Sequence, residues 1–161
     1  MEGVKFEFHK NFYRNKKLIK ECDDLAYSQH IDNGGTLRIK GLVVTGHYLL
    51  CARDEKGKLV GFVLLYKDYH FAGDLYVAQI AVSKDCVKQG IGSKMLQSII
   101  DNSRGYSMFS ADVRADNVAS NALFTKMGFE KVPGSNCYAL DLRKIENRKS
   151  LDLLCLMKRK I

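Results

Sequence analysis

Lys88, Gly90 and Gly92 stand where an apolar run gives way to a helical one, within LYVAQIAVSKDCVKQGIGSKML (Leu75 to Leu96). A helix N-terminus presents backbone N–H groups without internal acceptors and carries partial positive charge. Glycines there let an anionic ligand come close to the backbone, and Lys88 adds a full charge, so a phosphate could sit where this helix begins. The spacing is not the dinucleotide fingerprint, because the third glycine is missing. It is not a Walker-type loop either, because no Gly-Lys-Ser/Thr ends it. A tight strand-to-helix connection would use the same two glycines without any ligand.

The elements that must position this loop follow from periodicity. Lys5 to Phe8 alternates and reads as a short strand. Asn11 is placed to cap a helix through Tyr27, with Leu18, Ile19, Cys22, Leu25 and Ala26 as its apolar stripe. Leu37 to Val44 fits either a helix or a strand. His47 to Arg53 and Leu59 to Tyr66 form a hairpin around Asp54-Glu55-Lys56-Gly57, and Gly61 marks a bulge or a close contact. Leu75 to Val82 is the third strand of an antiparallel meander. The order then changes to a helix from Gly90 to Asn102, a strand from Tyr106 to Val113, a helix from Asn117 stopped by Gly128, and a strand from Phe129 to Val132. Tyr138 to Leu142 and Leu151 to Met157 read as a terminal hairpin, a basic amphipathic helix being the alternative for the last segment. The fold class is α+β, a mixed central sheet flanked by helices. A strand–helix–strand crossover makes the strands ending at Val82 and Val113 parallel, and ligands favour the C-terminal edge of such strands. Val82, the Gly90 loop, Asp112 and Asn117 are thereby expected around one cleft.

Composition narrows the function. The chain has 161 residues, enough for one domain (residues 1–161) with a real core. No apolar run approaches the roughly 20 residues of a membrane span, and MEGVKFEFHK lacks the apolar centre of a signal peptide. The expectation is a soluble cytoplasmic protein without a membrane partner. Cys22, Cys51, Cys86, Cys137 and Cys155 are scattered, odd in number and free of CxxC pairs, which argues against a disulfide framework and a zinc site, so no metal is expected. Cys86 has no nearby His to make it a nucleophile. The formal net charge of +8 favours anionic ligands. Nucleic acid is disfavoured as a partner, since no helix-turn-helix, zinc pattern or RNP-like aromatic motif accompanies the charge. The oligomeric state is open, a homodimer included.

Two blocks in order, IAV followed by GIGSKML and DVRADNVASNALFTKMGFE, resemble the GNAT superfamily of acetyl-CoA-dependent N-acetyltransferases. The second is similar to that family's Asn-x-x-Ala/Ser-x-x-Leu-Tyr segment followed by Lys-x-Gly-Phe. The resemblance covers roughly residues 75–130 and implies the mixed sheet, with its antiparallel meander and a parallel pair at the cofactor cleft. It also implies acetyl-CoA as co-substrate and an amine as acceptor. Backbone groups of Ile80, Ala81 and Val82 would pair with the pantetheine arm as an added strand does. A backbone N–H of that strand would polarise the thioester carbonyl. Val87, Lys88, Gln89, Gly90, Ile91, Gly92 and Ser93 would hold the pyrophosphate. Asn117, Ser120 and Phe124 would complete the cofactor side, although Asn117 as a plain helix cap is the alternative.

DVRADN further resembles the Glu-Val-Arg-x-x-Asn segment of the ribosomal-protein alanine N-acetyltransferase branch, in which the Glu is the base. This makes Asp112 the catalytic candidate, one methylene shorter and suited to act through water. An acidic strand-end residue paired with Arg or Lys is the competing view, and Asp74 and Asp116 stand behind Asp112 as alternatives. Two departures stand out. Val87 occupies the place of an Arg or Gln, and Phe124 replaces the Tyr that protonates the leaving thiolate, a task for which Tyr138 or water are the substitutes. The expected function is acetyl transfer to a primary amine of a small molecule, a peptide N-terminus or a lysine. A GNAT-like module that binds CoA or a partner without turnover is the alternative.

Overall fold

The computed structural model describes residues 3–30 and 48–151. Three strands follow β1 (Lys5–Lys10) as an antiparallel meander, namely β2 (Tyr48–Arg53), β3 (Leu59–Lys67) and β4 (Asp74–Val82). Then β5 (Met108–Asp112) joins β4 in parallel. The short β6 (Glu130–Lys131) and β7 (Cys137–Asp141) complete a seven-stranded sheet of order β1-β2-β3-β4-β5-β7-β6. The described helices are α1 (Lys16–His30), α2 (Ile91–Asp101) and α3 (Val118–Lys126). This is the mixed α+β sheet with one parallel pair that the sequence implied. Among the described residues, no helix is long and apolar enough to cross a membrane.

The sheet is covered on both faces. Leu18, Ile19, Cys22 and Ala26 of α1 pack against Leu49, Cys51, Phe62 and Leu64. On the opposite face Met95, Leu96, Ile99 and Ile100 of α2 and Phe124 of α3 meet Leu50, Val63, Leu75, Val77 and Phe109. Strands buried on both sides read as continuous apolar runs, which is why LVGFVLLY shows no alternation.

Two irregularities re-phase the central strands. Across β3 and β4, Leu64 faces Gln79 while Leu65 faces Val77, so Ala78 is an extra residue. Leu75 and Val77 before it, and Ile80 and Val82 after it, all pack on the α2 side. Without the bulge the two-residue period would turn Ile80 and Val82 to the other face. At Gly61 the register to β2 also shifts, and a Cβ there would lie 3.0 Å from Met95 Cε and 3.2 Å from the Ala81 carbonyl oxygen. Val60 is the extra residue of this second irregularity, and Gly61 beside it is the place of close approach.

One expectation is corrected. Asn11 does not cap α1: β1 extends to Lys10, and Asn11 turns the chain with φ 57° ahead of a 3-10 turn at Phe12–Arg14. Asn15 is the cap, its Oδ1 accepting from the Leu18 N–H at 3.0 Å. Of the expected terminal hairpin, β7 is present and pairs with β5 and with β6. The readings for Leu37 to Val44, and for Leu151 to Met157 beyond Leu151, lie outside the described residues.

Candidate active site

The parallel ladder between β4 and β5 runs only from Asp74 opposite Met108 to Val77 opposite Ala111. Beyond it β5 ends at Asp112, whereas β4 continues to Val82 with its other edge still on β3. Ile80, Ala81 and Val82 therefore have one backbone edge that no described strand occupies. The divergence begins at the Ala78 bulge, as expected of a feature that bends a strand and increases its twist.

The loop after β4 is shaped by its own backbone. The Ser83 N–H donates to the Val60 carbonyl at 2.8 Å, and Lys84–Cys86 form a 3-10 turn. Val87 is extended and 50% exposed, and Lys88 and Gly90 take φ 62° and 76°. No side chain caps α2, and its first internal bond is Lys94 N–H to the Gly90 carbonyl at 2.9 Å. The N–H groups of Ile91, Gly92 and Ser93 are thus the ones a helix start leaves for an outside acceptor. Gly90 is required by its left-handed backbone, since open space surrounds the place of its Cβ. Gly92 packs closely against α3: a Cβ there would lie 3.2 Å from Leu123 Cδ2, so that side chain would have to give way by a few tenths of an ångström. Lys88 and Gln89 are exposed beside this helix start.

The second loop leaves the same end of the sheet. Asn117 caps α3, its Oδ1 accepting from the Ser120 N–H at 3.1 Å. Arg114 pairs with Asp116 at 2.6 Å and not with Asp112. Asn121, which sequence reasoning missed, organises this loop. Its amide donates to the Arg114 and Asn117 carbonyls at 2.9 and 2.7 Å and accepts from the Tyr138 hydroxyl at 2.7 Å. Its sequence signal is faint, an Asn one turn into a helix, which persists when backbone partners are in reach. We expect Asn121→Ala to cost about 2–3 kcal/mol, since it strands the Tyr138 hydroxyl at a buried site. Urea unfolding measures this, and a loss below about 0.5 kcal/mol, the ordinary level for surface changes, would contradict the assignment.

Phe124 is 1% exposed, held 5.0 Å edge-on to Phe129 and 6.0 Å stacked with Tyr138. The ring thus keeps the packing part of the position and carries no hydroxyl. Tyr138 is itself buried, with its hydroxyl spent on Asn121.

Asp112 stands half-exposed on the face opposite α2. The Tyr76 hydroxyl donates to its Oδ2 at 3.1 Å, and His70 Nε2 lies 3.9 Å from the same atom. Among the described residues no Lys or Arg forms an ion pair with it. Burial, and then the Asp112 charge, push the Tyr76 hydroxyl well above the usual phenol range, so it remains a donor. The Cys137 thiol is raised for the same reasons.

His70 belongs to the β3–β4 turn, which two carboxylates pin. Fully buried Asp74 accepts from the Ser110 hydroxyl at 2.7 Å and the His70 N–H at 3.2 Å, and Asp68 accepts from the Gly73 N–H at 2.8 Å. Asp74 is buried and committed to this turn, and Asp116 is paired with Arg114, which leaves Asp112 as the exposed candidate without a Lys or Arg partner among the described residues. Tyr69 stacks on Tyr76 at 4.2 Å, so a stacked tyrosine pair adjoins Asp112. Gln79, also missed from sequence because it sits inside an apolar run, is 7% exposed, and neither amide atom has a hydrogen-bond partner.

Comparisons with known proteins agree with this architecture. The chain is 30% identical over 86 residues to the ribosomal protein bS18-alanine N-acetyltransferase of Escherichia coli K12, a match covering 52% of this chain and 56% of that protein. It spans between a quarter and a little over half of the length of the curated relatives it matches. The crystal structure of the E. coli S18-alanine N-acetyltransferase superposes with a TM-score of 0.67 at 18% identity, over 86% of this chain and 94% of that one. The structure of yncA from Salmonella typhimurium, solved with its cofactor acetyl-CoA, gives 0.66 at 17%, over 88% and 95%. The model of the acetyltransferase (GNAT) family matches residues 13–129. The chain belongs to the GNAT family of acetyltransferases.

Proposed function

We propose that this chain transfers the acetyl group of acetyl-CoA to a primary amine. The observation that carries the reading is the open β4 edge at Ile80, Ala81 and Val82, leading straight into an uncapped, glycine-led helix start. Pantetheine lies along that edge as an added strand. The N–H groups of Ile91, Gly92 and Ser93, with the Val87–Gly90 backbone and Lys88, receive the pyrophosphate. Asn117 and Ser120 flank the cofactor from the second loop, and Phe124 backs it as packing.

The acceptor approaches from the Tyr76 face. Asp112 takes the ammonium proton directly or through one water. The freed amine nitrogen bonds to the thioester carbon, a β4 N–H near the bulge holds the developing oxyanion, and the C–S bond breaks as the carbonyl re-forms. The nitrogen sheds its second proton on becoming an amide, and water relays that proton to the thiolate, since Phe124 has none to give and the Tyr138 hydroxyl is engaged. With an ordinary thiol pKa of about 8.5 it leaves without a dedicated acid. Gln79 offers the acceptor one donor and one acceptor. A peptide N-terminus is the first acceptor to try, given that the E. coli relative is by name an alanine N-acetyltransferase of ribosomal protein bS18.

Thiol release from acetyl-CoA, measured against peptides with free N-termini, lysine peptides and small amines, tests the proposal. Turnover with one class supports it. Saturable cofactor binding with no turnover on any class supports instead the second reading, a binding module. The exposed Val87 and the hydroxyl-free Phe124 favour that alternative.

A further inference from the structure

We propose that His70, Asp112 and Cys137 form a zinc-binding site on the acceptor face. The three come from the β3–β4 turn, the end of β5 and the start of β7, so no spacing in the sequence announces them, and the proposal departs from the expectation of no zinc site, which rested on cysteine spacing alone. Their candidate ligand atoms all lie within 4.8 Å of one another, with His70 Nε2 3.9 Å from the Asp112 carboxylate. Zinc bonds of about 2.0–2.3 Å in a tetrahedron put ligand atoms about 3.3–3.8 Å apart, so closure needs a contraction of about an ångström. Side-chain rotation supplies this at a half-exposed site. Imidazole, carboxylate and thiol together suit zinc, whereas magnesium and calcium prefer all-oxygen sets.

The surroundings already orient the donors. The His70 ring is held edge-on by Tyr69 at 4.9 Å and Tyr76 at 5.3 Å, while its backbone N–H is fixed by buried Asp74. The Tyr76 hydroxyl donates to the Asp112 carboxylate, the kind of outer partner that steadies a metal-ligating carboxylate. Three protein donors leave a fourth position for water. Cys137 releases its proton to solvent on binding. The bound cation also claims the lone pair with which Asp112 would accept the amine proton, so zinc inhibits acetyl transfer. That consequence rests on the proposed role of Asp112, whereas binding itself does not.

The test is titration of the metal-free full chain with cobalt(II), followed by absorbance. We expect a thiolate-to-cobalt charge-transfer band that saturates at one equivalent and is displaced by zinc. The band disappears in Cys137→Ala and in His70→Ala and survives in Cys86→Ala, which removes a partly exposed thiol elsewhere. No band, or a band indifferent to Cys137 and His70, would overturn the site. In the thiol-release assay, zinc inhibits the parent, and in Cys137→Ala the rates with and without zinc become equal. Zinc bound through Cys137 without inhibition would uphold the site and overturn Asp112 as the base. An inactive chain would leave the cobalt result to decide the site alone.

Discussion

Replacing Asp112 by Asn lowers kcat for acetyl transfer by about 10²–10⁴-fold and leaves the KM for acetyl-CoA unchanged. The carboxamide keeps the shape of the side chain and still accepts from the Tyr76 hydroxyl, so the fold is not at stake. What it cannot do is take a proton. At neutral pH a lysine-type amine is almost wholly an ammonium ion, and an enzyme without the carboxylate must wait for the roughly 10⁻³ fraction already deprotonated, whereas a peptide N-terminus, with a pKa of about 8, contributes only about tenfold of the loss this way. The loss therefore shrinks as the assay pH approaches the acceptor's own pKa, a trend that a purely structural role would not show. Steady-state thiol release over a pH series measures both effects. A variant within about twofold of the parent at every pH would remove Asp112 from the mechanism and return attention to the binding-module reading, since a general base contributes far more than that.

Replacing Gly90 by Val weakens acetyl-CoA binding by about tenfold, and Gly90→Asn restores most of it. Gly90 carries φ 76° with no atom within 4 Å of its missing Cβ, so a larger side chain meets no clash. The penalty is backbone strain of about 1–2 kcal/mol for a residue that avoids the left-handed region. A β-branched residue relieves that strain by turning the peptide planes of the loop. Those planes aim the N–H groups of Ile91, Gly92 and Ser93. Asparagine tolerates the same conformation, so its near-parental affinity separates backbone direction from side-chain bulk. Equal affinity for parent and Gly90→Val would show that the helix start does not hold the ligand.

These two residues mark what was legible in the chain and what was not. The Gly90 loop and the Asp112 strand end were visible because each is a local pattern: an apolar run, a break, then helical periodicity, in motif blocks that resemble one family. The Ala78 bulge was not visible. LYVAQIAV is apolar or small in nearly either phase, so a one-residue slip leaves no mark on its pattern, although it turns Ile80 and Val82 toward α2. Asn11 misled because it is a good cap in the wrong place. Nothing local distinguishes it from Asn15, and the length of β1 decides between them. The gathering of His70, Asp112 and Cys137 depends on β7 lying between β5 and β6, an order that breaks with sequence. Asn121 and Gln79 act through partners, or the lack of them, that only the folded chain defines.

Acetyl-CoA binding is the claim on which the rest depends, and calorimetric titration of the purified chain tests it most directly. The account predicts one saturable site for acetyl-CoA, weakened in Gly90→Val and unchanged in Asp112→Asn. An absence of saturable heat at millimolar acetyl-CoA would contradict it, and would mean that the open edge of β4 and the helix start beside it serve some other ligand.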